Sequence, residues 1–150
     1  RGLMPDSTPS LLETEHVQLL TQIGFIAASR ADVKRAEIIF GALSRVRPLR
    51  AFPHVGMSMA LLNAGRAGDA VAYLQKKAQM PAGEEADLVN AFLGLALQQD
   101  ARASEATRTL RSVAPDAENT NPSEGALLAQ RLLGERPGDQ APPWSAFQII

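Results

Sequence analysis

A spacing of residue sizes that recurs three times constrains this chain more than any other feature. Gly24 is followed twelve residues later by Ala36 and four later by Phe40; Ser58 stands in the same relation to Ala70 and Leu74, and Gly94 to Ala106 and Leu110. The copies are offset by 34 and then 36 residues. Two small residues let a pair of helix backbones approach closely, and a large residue one turn later fills the gap left towards the next pair. A period of this length is the mark of stacked helical repeats, each unable to bury its apolar face alone. The extra pair of residues in the second interval is expected around Pro81-Ala82-Gly83-Glu84.

The local signals agree. The pattern predicts seven helices, at 10–29, 32–46, 52–64, 67–79, 85–99, 102–113 and 123–133. Ser10 and Glu13 have the form of a capping box, and Pro48 lies where the second helix has to stop. Gly65 and Gly68 are placed in the turn inside the second repeat. Asn121 is read as the cap of the last helix, with Pro122 at its first position and Glu124 at its third. Aromatic residues are only 5% of the chain, which suits close helix packing better than a sheet. The fold expected is all-α: three tetratricopeptide-like (TPR) helix-turn-helix repeats plus a C-terminal capping helix, an α-α superhelix. It is expected over residues 10–134, between a flexible N-terminus (1–9) and a Pro-rich tail (135–150). Trp144, Phe147, Ile149 and Ile150 in that tail form an apolar cluster expected to pack on the body or dock in a neighbouring molecule.

Chemistry-bearing constellations are few. With no cysteine, the sequence lacks disulfides, thiolate nucleophiles and Cys-type zinc sites. His16 and His54 have no acidic or His partner at metal-ligand spacing, and no cofactor motif is present. His54 and Ser58 lie four apart on one helix, but no carboxylate is placed to orient a Ser–His pair, and a structural or surface role is expected. Glu84, Glu85 and Asp87 sit where negative charge complements a helix dipole. The Arg/Lys excess between Arg30 and Arg50 is interrupted by Asp32 and Glu37 and reads as a solvated face. A net charge of −1 gives no reason to expect nucleic acid. No apolar run approaches the ~20 residues of a membrane span, and no signal pattern opens the chain, so a soluble, non-catalytic cytoplasmic protein is expected.

Binding is expected on the inner face, lined by the first helix of each repeat. It collects Gln18, Thr21 and Phe25, then Phe52, Val55, Met59, Leu62 and Asn63, then Leu88, Ala91, Leu95, Gln98 and Gln99. An apolar strip with amides at its edges and an adaptable Met at its centre suits an amphipathic helix or extended peptide. The strip has no Lys or Arg of the kind that would hold an acidic peptide terminus. Phe52, Val55, Met59 and Leu62 are expected to be unusually exposed, and Met59→Glu to spare the fold while abolishing binding.

Residues from about Leu19 to Val113 resemble the small TPR chaperones of bacterial type III secretion systems, the Hrp-type proteins and needle-subunit chaperones. The resemblance lies in Leu20 to Gly24, in the helix from Ala36 to Pro48 ending ALSRVRP, in GMSMALLNAGRAGDAVAYL from Gly56 to Leu74, and in AFLGLALQ from Ala91 to Gln98. It implies a cytoplasmic protein that wraps an aggregation-prone secreted partner until export. The alternative is a structural adaptor or self-associating subunit of a multiprotein assembly.

Overall fold

The computed structural model describes residues 14–134, which form seven α-helices and no strand. They are α1 (Thr14–Ser29), α2 (Val33–Val46), α3 (Phe52–Asn63), α4 (Ala67–Lys77), α5 (Glu84–Gln99), α6 (Ala103–Val113) and α7 (Glu124–Gly134). The expected start of the first helix with its Ser10–Glu13 box, the flexible N-terminus and the Pro-rich tail lie outside the described residues.

Each helix packs on the next, and α1, α3, α5 and α7 also pack in succession on one another. The odd-numbered helices therefore form one layer and α2, α4 and α6 lie over it. This arrangement explains why α3 and α5 carry so little polar surface. With neighbours on several sides, every residue from Pro53 to Leu61 and from Ala91 to Leu97 is buried.

Three turns inside the pairs are built alike. Ala31, Gly65 and Ala101 each take a left-handed backbone, with φ of 59°, 75° and 61°. Their intervals repeat the 34 and 36 of the size pattern. After each, an amide bonds back five residues: Asp32 to Ala27, Arg66 to Leu61 and Arg102 to Leu97. This is the helix-ending motif that favours glycine, yet two of the three positions hold alanine. Gly68, also expected to serve the turn, instead lies in the first turn of α4. The residue after each left-handed position is clamped to the one three further on, as Asp32–Arg35, Arg66–Asp69 and Arg102–Glu105, with the sign inverted in the first copy.

The extra two residues of the second interval are not a simple loop insertion. Relative to the preceding interval, α4 has 11 residues where α2 has 14, and α5 has 16 where α3 has 12. The chain thus spends its surplus on one more helical turn at the start of α5, carrying Glu84, Glu85 and Asp87. The last helix also begins later than the sequence suggested. Its cap is Ser123 rather than Asn121, because the Ser123 Oγ accepts from the Ala126 amide at 3.1 Å.

Size complementarity holds the layers together. Ala36, Ala70 and Ala106 are buried, as the spacing required, and so are Phe40, Leu74 and Leu110. The Phe40 ring lies between α1 and α3, edge-on to Phe25 at a centroid distance of 5.1 Å. A Cβ on Gly24 would stand 2.7 Å from Phe40 Cζ, and one on Gly56 would overlap the same ring. Gly41, in the middle of α2, faces open space by comparison, with Arg45 Nη1 4.0 Å away. Gly56→Ala is expected to cost about 1–3 kcal/mol by overpacking. Gly41→Ala should stabilise α2 by roughly 1 kcal/mol through helix propensity. Thermal or urea melts of the two variants check both signs.

Candidate partner-binding cleft

The residues expected to line a groove have mostly become core. Phe25, Val55, Met59, Ala91 and Leu95 are buried, Val55 and Met59 to 6% and 5% residual exposure. Thr21, Phe52, Leu62, Leu88 and Gln98 are half-buried, and Gln18, Asn63 and Gln99 are exposed. The expectation that Val55 and Met59 stand unusually exposed is therefore corrected: α1, α2, α4 and α5 all pack on α3 and cover it.

Two of the edge amides bond within the chain. Asn63 Nδ2 donates to the Ala28 carbonyl at 3.0 Å, and Gln98 Nε2 to the Leu132 carbonyl at 3.3 Å. Each ties one odd helix to a carbonyl near the end of a neighbouring one. The starts of these helices are joined in a related way. Glu85 Oε1 accepts from the Ala51 amide at 2.6 Å and from Arg50 Nε at 3.2 Å. Asp87 Oδ2 accepts from the Ser123 hydroxyl at 2.7 Å. The acidic run that opens α5 thus links α3, α5 and α7, a role beyond the helix-dipole one its position suggested.

Among the described residues a cleft opens at one end of the odd layer. Thr14, Val17, Gln18, Thr21 and Gln22 of α1 face Arg47 and Arg50 of the α2–α3 turn and Phe52 of α3 across a cleft of about 640 Å³. Gln18, Thr21 and Phe52 belong to the inner face read from the sequence. Arg47 and Arg50 do not; they fell within the basic stretch taken for a solvated face. The turn that starts at Arg47 brings them beside α1, and no helical periodicity signals that placement. Arg50 is 57% exposed, with its guanidinium carbon 5.6 Å from the centre of the Phe52 ring. Arg47 Nη1 donates to the Val46 carbonyl at 3.3 Å.

A titratable pair shielded from solvent lies elsewhere, between α3 and α4. His54 is buried and its Nδ1 is 2.9 Å from the Tyr73 hydroxyl. Burial, with Lys77 adding to it, pushes His54 down to about 4, while burial and then Glu37 push Tyr73 up to about 12. At neutral pH a neutral imidazole and a neutral phenol therefore share this hydrogen bond. Ser58 Oγ instead donates to the Val55 carbonyl at 2.8 Å, so the two side chains are each engaged away from a Ser–His pair. Among the described residues no group of three or more His, Cys, Asp or Glu side chains could hold a metal ion, and no helix is long and apolar enough to cross a membrane.

Comparison with protein-family models, with curated proteins and with solved structures gives no match for this chain.

Two outcomes follow from this burial. Met59→Glu should lower stability by several kcal/mol, because a carboxylate is placed without a partner in the core; a large fall in melting temperature checks it. His54 stays neutral in the folded chain while its unfolded counterpart gains a proton near pH 6.5. Its contribution is complete above that pH and is lost as pH falls towards 4, by about 3 kcal/mol in all. Urea melts between pH 7 and 4 should show a shallower decline for His54→Gln than for the parent chain.

Proposed function

We propose that the chain is a non-catalytic, TPR-like protein-binding module that holds a segment of a protein partner along its odd-helix layer. The observation that carries this reading is the coincidence of two independent periodicities. The small–small–large marks and the left-handed turn residues recur at the same intervals of 34 and 36. Stacked repeats of this kind present an extended surface on one layer, suited to a chain segment rather than to a small substrate. The open cleft between α1, the α2–α3 turn and Phe52 is the part of that layer left for a partner. The buried His54 and Ser58 and the half-buried Tyr73 serve packing in this reading and not turnover.

Within that class, the resemblance of residues 19–113 to type III secretion chaperones favours a bacterial cytoplasmic chaperone that covers a secreted partner before export. A structural adaptor is the second reading. It is favoured by Leu19 and Ile23, exposed to 56% and 43% and one turn apart on α1. That apolar pair suits a lasting contact with a second copy.

Site-specific photo-crosslinking in the producing cells tests the proposal. A benzophenone side chain at Gln18 or Gln22 should capture a discrete protein, and one at Arg111 on α6 should not. A captured partner later found outside the cell without this chain marks a chaperone; one retained in an assembly with it marks an adaptor. Absence of any adduct at the two cleft positions overturns the binding surface.

A further inference from the structure

The inner strip read from the sequence holds no cation, and an apolar occupant followed from that. The turn between α2 and α3 changes the chemistry. We infer that the cleft is a receptor for acidic side chains on an extended segment of the partner, with Arg47 and Arg50 taking the carboxylates. This deepens the protein-binding reading and rests on it.

Charge complementarity is the first support. Between Thr14 and Phe52 the chain has six Lys or Arg against three Asp or Glu, whereas from Pro53 to Gly134 it has seven against nine. Of the six, Arg30, Lys34 and Arg35 lie at the α1–α2 turn, while Arg47 and Arg50 line the cleft, whose lining holds no acidic residue. Second, both guanidiniums are held in position before any ligand arrives. Glu85 and the face of Phe52 fix Arg50, occupying its Nε and leaving its terminal nitrogens for another acceptor. The bond to the Val46 carbonyl engages one nitrogen of Arg47. A guanidinium so oriented loses little freedom on meeting a carboxylate, and its planar fork matches the two oxygens.

The rest of the lining fits a peptide. Thr14, Gln18, Thr21 and Gln22 follow one side of α1 over two turns, roughly 12 Å. That is the length of about four extended residues. A glutamine amide offers both a donor and an acceptor, the two functions a peptide backbone presents. Val17 and Phe52 add apolar floor for intervening side chains. A nucleic acid would want a longer cationic track and a free aromatic face. Here one face of Phe52 is covered by Arg50, and the two arginines of the lining make a pair rather than a track.

Fluorescence anisotropy on the full chain tests this with two labelled eight-residue peptides, one alternating leucine with glutamate and one alternating leucine with glutamine. The glutamate peptide should bind at least about tenfold more tightly. Arg47→Gln and Arg50→Gln should each weaken it about tenfold, while Arg111→Gln leaves it unchanged. Should Arg50→Gln lower the melting temperature through loss of its bond to Glu85, Arg47→Gln decides, since among the described residues its guanidinium bonds to the adjacent Val46 carbonyl alone. Equal affinity for the two peptides, or indifference to the arginine substitutions, overturns the acidic specificity and leaves the protein-binding reading standing. Failure of both peptides to bind also overturns it, and joined to absent crosslinks at Gln18 and Gln22 it removes the binding surface as well.

Discussion

The structure depends on large side chains occupying space that glycine leaves empty. Phe40 reaches from α2 into the gap opened by Gly24 on α1 and by Gly56 on α3, so one ring sets the spacing of three helices. Leu110 does related work against Gly94, where an added Cβ would overlap it. Gly125 takes the principle to its limit, since a Cβ there would meet the backbone of Asp87 and Leu88. The last helix can approach α5 that closely only without a side chain. Interiors packed at this density have little room for adjustment, which makes these few contacts decisive for the position of everything stacked on them.

Around that apolar register the polar side chains perform a complementary task. Asn63, Glu85, Asp87, Ser123 and Gln98 all connect one odd helix to the next, at its start or at its end. Helix termini are where backbone groups lack partners, so bonds there remove a cost while fixing how far one helix slides along another. Close approach sets the separation of the layer, and the terminal bonds set its alignment. The cleft inherits its geometry from both, because Glu85 orients Arg50 while also accepting from the Ala51 amide at the start of α3.

Much of this was legible in the residues, and the part that was not has a physical reason. The helices and the buried Ala36, Ala70 and Ala106 follow from local periodicity, which a linear sequence displays directly. Burial of Val55 and Met59 was missed because it is decided by how many helices pack around α3, a tertiary quantity. Asn63 and Gln98 looked like groove edges, yet carbonyls 35 and 34 residues away engage them. Arg47 and Arg50 carry no sign of their placement in the sequence, since a turn, not a helical face, delivers them. Ser123 lost the cap assignment to Asn121 for want of any sign that Asp87 would hold its hydroxyl.

The layered packing has a consequence for how the chain comes apart. Contacts run between neighbouring helices, so the links joining distant parts of the chain are chains of short steps. Among the described helices α1 has partners on one side only, whereas α3 and α5 each touch four others. Amide protons should therefore exchange along a gradient, released early from α1 and held longest at the centre, as local openings precede the global one. The cleft stands at the loose end of that gradient. On the binding reading proposed above, a segment seated there leaves by displacing α1 from Phe52 and the arginines, with α5 still folded.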